Sequence, residues 1–345
     1  YVEYLKGIWE RNQLTNQGPL VCELEQKIQA RHQIDVPVHC VTNGGLGLQI
    51  ILKALGVKGE VITTPFSYVA TASCPLWEGC SIKFADIEPD HLTIDPAAVE
   101  AAIGPDTEAI MATHVFGNPC DCEALEAIAS KYGLALIFDA AHAFGVRYKD
   151  KSILEYGDVS MVSLHATKLL HAVEGGFVVA KDPLVAEKVE WMRRFGHNGP
   201  VEFDGVGINA KMSELHAAMG LCNLRHLDAI LKKRQQVYEV YDKALGAERS
   251  ITTMSYREGA IQNYSYYPIL FDSEFLLLQA VGRMNGENIF PRRYFYPALN
   301  EVANLHDKRC ECPVAENVSR RILCLPLSDR LADSDLGKLT AILTD

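Results

Sequence analysis

Between residues 38 and 180 the chain repeats one pattern: an apolar run of four or five residues, a turn, then a helical stretch. The runs lie at 38–42, 60–63, 82–85, 109–113, 134–138, 159–162 and 177–180. Short apolar strands separated by helices pair mainly in parallel, because each helix carries the chain back to the edge where the next strand starts. This predicts an α/β fold with a mainly parallel central sheet flanked by helices. Open sheets of this kind bind ligands in the crevice beyond the carboxyl ends of their strands. The residues that follow the apolar runs are therefore the ones to inspect for chemistry.

Two of these strand ends carry reactive groups. The run 134–138 delivers Asp139-Ala-Ala-His142-Ala-Phe-Gly145, and the run 159–162 delivers Ser163-Leu-His-Ala-Thr-Lys168, followed by Glu174-Gly175-Gly176. Burial lowers the pKa of an amine because desolvation disfavours the ammonium form, and the neutral amine is what attacks a carbonyl carbon. Alone, such a lysine reads as an ordinary surface residue at a strand end. The acid on a second core strand changes the reading, since a lysine imine with an aspartate opposite a pyridinium nitrogen is how pyridoxal phosphate is held. A third strand end, Asn43-Gly44-Gly45, opens a helical run at 46–55. It exposes backbone N–H groups and the positive end of a helix dipole, which suits a phosphate and serves a plain strand-to-helix turn equally well.

Taken together, DAAHAFG at 139–145, SLHATK at 163–168, EGG at 174–176 and GINAKMSEL at 207–215 resemble the DegT/StrS sugar aminotransferases. These are fold-type I pyridoxal phosphate enzymes, and the resemblance runs from about Leu14 to the end of the chain. It implies a large cofactor-binding domain at 1–230, a smaller C-terminal α/β domain at 231–345, and a short segment ahead of Tyr1. It also implies roles. Lys168 holds the cofactor and shuttles a proton, and Asp139 keeps the ring nitrogen protonated. Gly44 and Gly45 cradle the phosphate, and Tyr68 stacks on the pyridine ring. His142, where relatives often have glutamine, contacts the ring hydroxyl or the phosphate. Gly45 replaces the family's usual hydroxyl residue, so one phosphate hydrogen bond is either lost or taken over by Ser163. Asn209, after the Gly-rich loop 196–207, reaches the phosphate of a neighbouring subunit, which implies a homodimer with shared sites. His165 has no independent warrant as an acid or base.

The segments at 18–20, 64–68 and 114–121 are most similar to family members that make dTDP-4-amino-4,6-dideoxy sugars for surface polysaccharides. The implied substrates are a dTDP-linked 4-keto-6-deoxy hexose, aminated at C4, and L-glutamate as donor. In PRRYFYP at 291–297, Arg292 and Arg293 either clasp a diphosphate bidentately or belong to a solvated loop. Tyr294 or Phe295 offers an apolar neighbour to the 6-deoxy carbon, and Asn300 stands where the family commonly has histidine. The alternatives are a 3-keto-sugar aminotransferase, a pyridoxal phosphate-dependent sugar dehydratase and a non-catalytic regulatory homologue. The family's sugar dehydratases replace the lysine with histidine, and a regulatory protein would be expected to lose Lys168 or Asp139. Keeping both favours transamination.

Composition bounds the rest. The 345 residues, 48% hydrophobic and 22% charged, are ordinary for a globular protein with a substantial core. A net charge of −11 argues against broad nucleic-acid binding, which needs a positive field, so an anionic substrate requires a local basic cluster. No apolar run reaches 18 residues and Tyr1 begins no signal peptide, so the expectation is no membrane and a cytoplasmic protein. The ten cysteines sit in apolar segments and read as buried thiols. Cys120 and Cys122, near His114, lack the second pair of a zinc site, so no metal is expected. Among helices, residues 1–9 should present Val2, Leu5 and Trp9 on one face. Pro19 should start a helix carrying Leu20, Leu24 and Ile28, and the run 212–245 should leave the first domain.

Overall fold

The computed structural model describes residues 1–246, 248–305 and 310–344. Its central sheet has seven strands in the order Val38–Val41, Gly176–Ala180, Val159–Ser163, Ala135–Asp139, Thr107–Thr113, Glu60–Thr63 and Ser81–Phe84. The pairings from Val159–Ser163 outward to Ser81–Phe84 are parallel. Gly176–Ala180 runs antiparallel to both its neighbours, because it returns directly from Val159–Ser163 without a crossover helix. Both faces of the sheet are covered. Ile110, Leu136, Phe138, Val162 and Phe177 pack on one side, and Ala109, Met111, Ile137, Met161 and Val178 on the other. Burial on both faces is why the runs read as continuously apolar rather than alternating.

A smaller C-terminal unit has an antiparallel sheet of Ile251–Thr253, Tyr267–Phe271 and Ile322–Leu325, with helices Glu274–Gly286, Pro313–Arg321 and Asp333–Thr344. The helix Glu214–Leu245 joins the two. Its early residues Ala217, Ala218 and Leu221 belong to the large core, and its late residues Val237, Tyr238, Tyr241 and Leu245 to the small one. The position between residues 230 and 231 thus lies inside one unbroken helix.

At the amino end, helix Pro19–His32 buries Leu20, Leu24 and Ile28. Helix Val2–Arg11 differs from expectation: Val2 and Trp9 are exposed, and Ile8 is the buried residue. The helix lies against Glu214–Leu245, and that neighbour, not the helix's own periodicity, selects the face. Glu214 is fully buried here. Its carboxylate accepts from the N–H of Leu20 at 3.1 Å and of Val21 at 2.9 Å, and from Arg11 Nη2 at 3.0 Å. It thereby caps the start of Pro19–His32, whose first N–H groups have no intrahelical partner. Glu214→Ala leaves these buried donors unpaired, so an unfolding free energy lower by about 2–3 kcal/mol is expected, at the upper end for a single truncation. Urea titration at unchanged slope measures it, and an unchanged midpoint refutes the anchoring role.

Candidate active site

Beyond the carboxyl ends of the central strands lies a cavity of about 370 Å³, lined among others by Asn43, Gly44, Gly45, Tyr68, Asp139, His142, Ser163, Lys168, Tyr266 and Tyr294. Asp139 closes the strand Ala135–Asp139 and pairs in register with Thr113 and Met161. It is 4% exposed. Its carboxylate accepts from Thr71 Oγ1 at 2.8 Å and from the Ala141 N–H at 3.1 Å. With the Thr71 proton committed to the carboxylate, Thr71 accepts from Ser67 at 2.7 Å, and Ser67 in turn accepts from Thr113 at 3.1 Å. Burial pushes the Asp139 carboxyl upward, while the Thr71 and Ala141 hydrogen bonds and the charge of Lys168 oppose it. For Lys168 burial dominates and lowers the amine to about 8, with Asp139 pulling the other way.

His142 is buried beside Asp139 in the same pocket. Its Nδ1 lies 3.0 Å from the Phe116 backbone nitrogen. A backbone N–H can only donate, so Nδ1 accepts and the ring proton sits on Nε2. Burial, reinforced by Lys168, holds the imidazole well below its usual pKa, so the ring is neutral. The turn that aims this N–H puts Phe116 at φ 55° and Gly117 at φ 81°. A Cβ on Gly117 would stand 2.8 Å from Asn263 Oδ1 and 3.1 Å from the His142 carbonyl oxygen, so glycine is required there.

The helix Gly44–Leu55 begins at the pocket, with Asn43 as its cap accepting from the Leu46 N–H at 2.8 Å. A Cβ on Gly44 would meet Met161 Sδ at 2.8 Å, whereas one on Gly45 would find its nearest atoms at 3.4 and 3.8 Å. Gly44 is thus dictated by packing against the strand end, and Gly45 only leaves space. Ser163 is buried at the rim of this helix start, its Cβ 3.4 Å from where a Cβ on Gly44 would stand. A glycine-lined helix start, an adjacent serine, a depressed lysine and a buried acid with its own hydroxyl support fit pyridoxal phosphate. Gly44, Gly45 and Ser163 would hold its phosphate, Lys168 its aldehyde carbon and Asp139 its ring nitrogen.

The matching family model is the DegT/DnrJ/EryC1/StrS aminotransferase family, over residues 1–344. The chain belongs to this family. Membership makes it a pyridoxal phosphate-dependent aminotransferase. It is 39% identical to a dTDP-4-amino-4,6-dideoxy-D-glucose transaminase of Shigella dysenteriae, across 100% of this chain and 95% of that one. It is 34% identical to the transaminase of the same description from Escherichia coli, across 99% and 94%. A crystal structure of DesI with its TDP-sugar product superposes at TM-score 0.94 with 30% identity, covering 99% of this chain and 88% of that one.

Of the residues singled out in the sequence, the aminotransferase brings Gly44, Gly45, Tyr68, Asp139, His142, Ser163, Lys168 and Tyr294 to one cavity. Three lie elsewhere. Asn209 is exposed and accepts from Lys211 Nζ. Arg293 donates to Glu274 at 2.7 Å and to the Arg320 carbonyl at 3.0 Å, with its guanidinium 3.7 Å from the Tyr296 ring centroid. Arg292 is exposed, its backbone bridged to Cys324. A two-arginine clasp is therefore not formed in this pocket, since neither arginine lines it and Arg293 is held by Glu274 and Tyr296. Sequence reading gave no role to Thr71, Ser67 or Tyr266, whose partners lie far away in the chain. Cys120 and Cys122 are buried thiols.

The depressed amine sets a pH dependence. Below about 8 Lys168 is mostly ammonium and cannot attack, so capture of pyridoxal phosphate by cofactor-free protein should accelerate as pH rises to about 8 and then level off. Rapid-mixing absorbance measures it, and a rate still climbing tenfold per pH unit above 9 refutes the depressed amine.

Proposed function

We propose that this aminotransferase transfers the amino group of L-glutamate to C4 of a dTDP-linked 4-keto-6-deoxy hexose, in the cytoplasm, for a surface polysaccharide or deoxysugar. The observation carrying this reading is Lys168 and Asp139 in one cavity, in a chain 39% identical over its whole length to a protein described by that sugar product. When bound, pyridoxal phosphate supplies an electron sink for the carbon that loses its proton. Lys168, in its neutral form, takes the proton from the donor carbon and returns it at the cofactor's reacting carbon. Asp139 keeps the proton on the ring nitrogen, and the hydroxyls of Thr71 and Ser67 keep Asp139 aimed. His142, with its proton on Nε2, would offer that N–H to the cofactor's ring hydroxyl or phosphate. Retention of Lys168 counts against dehydration.

The assembly in this reading is a homodimer with shared sites. Support comes from the segment around Asn209, where Phe195, Val201, Phe203, Val206 and Ile208 are all exposed apolar residues. Several exposed apolar residues in one loop are suited to burial against a second copy. Asn209 lies outside its own chain's cavity, as a residue serving a neighbour would.

Purified protein given glutamate and a panel of nucleotide-linked 4-keto and 3-keto sugars should aminate the dTDP-4-keto-6-deoxy hexose at C4. Mass and regiochemistry of the product decide it, and exclusive turnover of a 3-keto sugar defeats the C4 assignment. Separately, mixing inactive Lys168→Ala and Asn209→Ala chains should restore part of the activity through hybrid dimers. No recovery after confirmed subunit exchange defeats the shared site.

A further inference from the structure

One wall of the cavity comes from the small domain, through Tyr266, Tyr294 and Phe295. Tyr266 is held firmly in that wall. Its ring centroid is 4.6 Å from that of His142, 5.5 Å from Phe116 and 6.0 Å from Tyr294. Its carbonyl accepts from the Tyr238 hydroxyl, and Arg234 Nη1 donates to the preceding carbonyls of Tyr264 and Ser265 at 3.3 and 3.1 Å. Among the described residues, nothing hydrogen-bonds the Tyr266 hydroxyl. Burial drives its phenol far above the usual range, so the hydroxyl stays protonated and both donates and accepts. The residue is half-buried on the cavity lining, so a hydroxyl with no protein partner is available there to a ligand.

Two substrates use this cavity in turn, and the wall discriminates between them. Glutamate brings two carboxylates, which call for cations or clustered N–H groups, and Tyr266, Tyr294 and Phe295 offer neither. A pyranose brings C–H faces that pack on aromatic rings and hydroxyls that match a phenol. We propose that Tyr266 is a specificity residue for the acceptor sugar, its hydroxyl binding the sugar's C3 hydroxyl beside the carbon that receives nitrogen. This rests on the C4 reading above. At C4 one neighbour, C3, bears a hydroxyl and the other, C5, does not. Contact between Tyr266 and His142, itself in the cavity with Asp139 and Lys168, puts the phenol close to the reacting centre.

The test uses holoenzyme and follows the two half-reactions separately by the absorbance of the bound cofactor. Tyr266→Phe should leave the cofactor spectrum and the glutamate half-reaction within about twofold of wild type, while the apparent Kd for dTDP-4-keto-6-deoxy-D-glucose rises about 10- to 100-fold, as for loss of a matched buried hydroxyl pair. The 3-deoxy congener of that sugar should bind wild type as weakly as the parent sugar binds Tyr266→Phe, with no further loss in the variant. Equal losses in both half-reactions, an unchanged sugar Kd, or additive losses with the congener overturn the assignment while leaving the C4 reading intact. Wild type that ignores the 4-keto sugar and converts a 3-keto sugar overturns the C4 reading, and the assignment with it, because that substrate has no C3 hydroxyl.

Discussion

Parallel pairing of Ala135–Asp139 with Val159–Ser163 is the constraint from which the site follows. In this register Asp139 lies opposite Met161, so the acid at the end of one strand and the segment leading to Lys168 from the other emerge into the same crevice. The strand interiors are covered on both faces, which leaves their carboxyl ends as the place where polar groups meet a cavity. Burial of Asp139 then demands partners. Thr71 and Ala141 supply them, with Ser67 and Thr113 holding the Thr71 hydroxyl in turn, which makes the acid rigid before any ligand arrives. The same burial raises the acid and lowers the amine, moving both toward neutrality and toward proton exchange near neutral pH.

The smaller C-terminal unit is tied into this arrangement and does not merely cover it. Asn263 donates to the carbonyls of His142 and Phe144, both at 2.9 Å. The Tyr256 hydroxyl reaches the Phe116 carbonyl at 3.4 Å. The Arg257 N–H donates to Asn118 at 2.9 Å, and its guanidinium pairs with Glu88. The turn that sets the tautomer of His142 is thus braced by residues more than a hundred positions away in the chain. One long helix, anchored at its start by Glu214, carries the connection. A pocket wall fixed in this way can hold a phenol such as that of Tyr266 at a constant position, which is what selection by a single hydrogen bond requires.

The sequence by itself determined the features that rest on local pattern. Apolar runs of strand length, separated by helices, dictate a mostly parallel sheet. Reactive residues directly after those runs, Asp139, His142, Ser163 and Lys168, must then collect at one sheet edge, and Gly44 must begin a helix there. What tertiary structure decided depends on partners remote in the chain. The buried face of Val2–Arg11 is chosen by the helix it lies on, so Ile8 enters and Trp9 stays out. Arg293 is taken by Glu274 and Tyr296, so charge adjacency in the sequence does not become a clasp. Thr71 and Ser67 acquire their role only by standing beside Asp139, and Tyr266 by standing beside His142. Strand position and residue type are written within a few consecutive residues, whereas the pairing of a polar group is settled by whichever distant atom completes it.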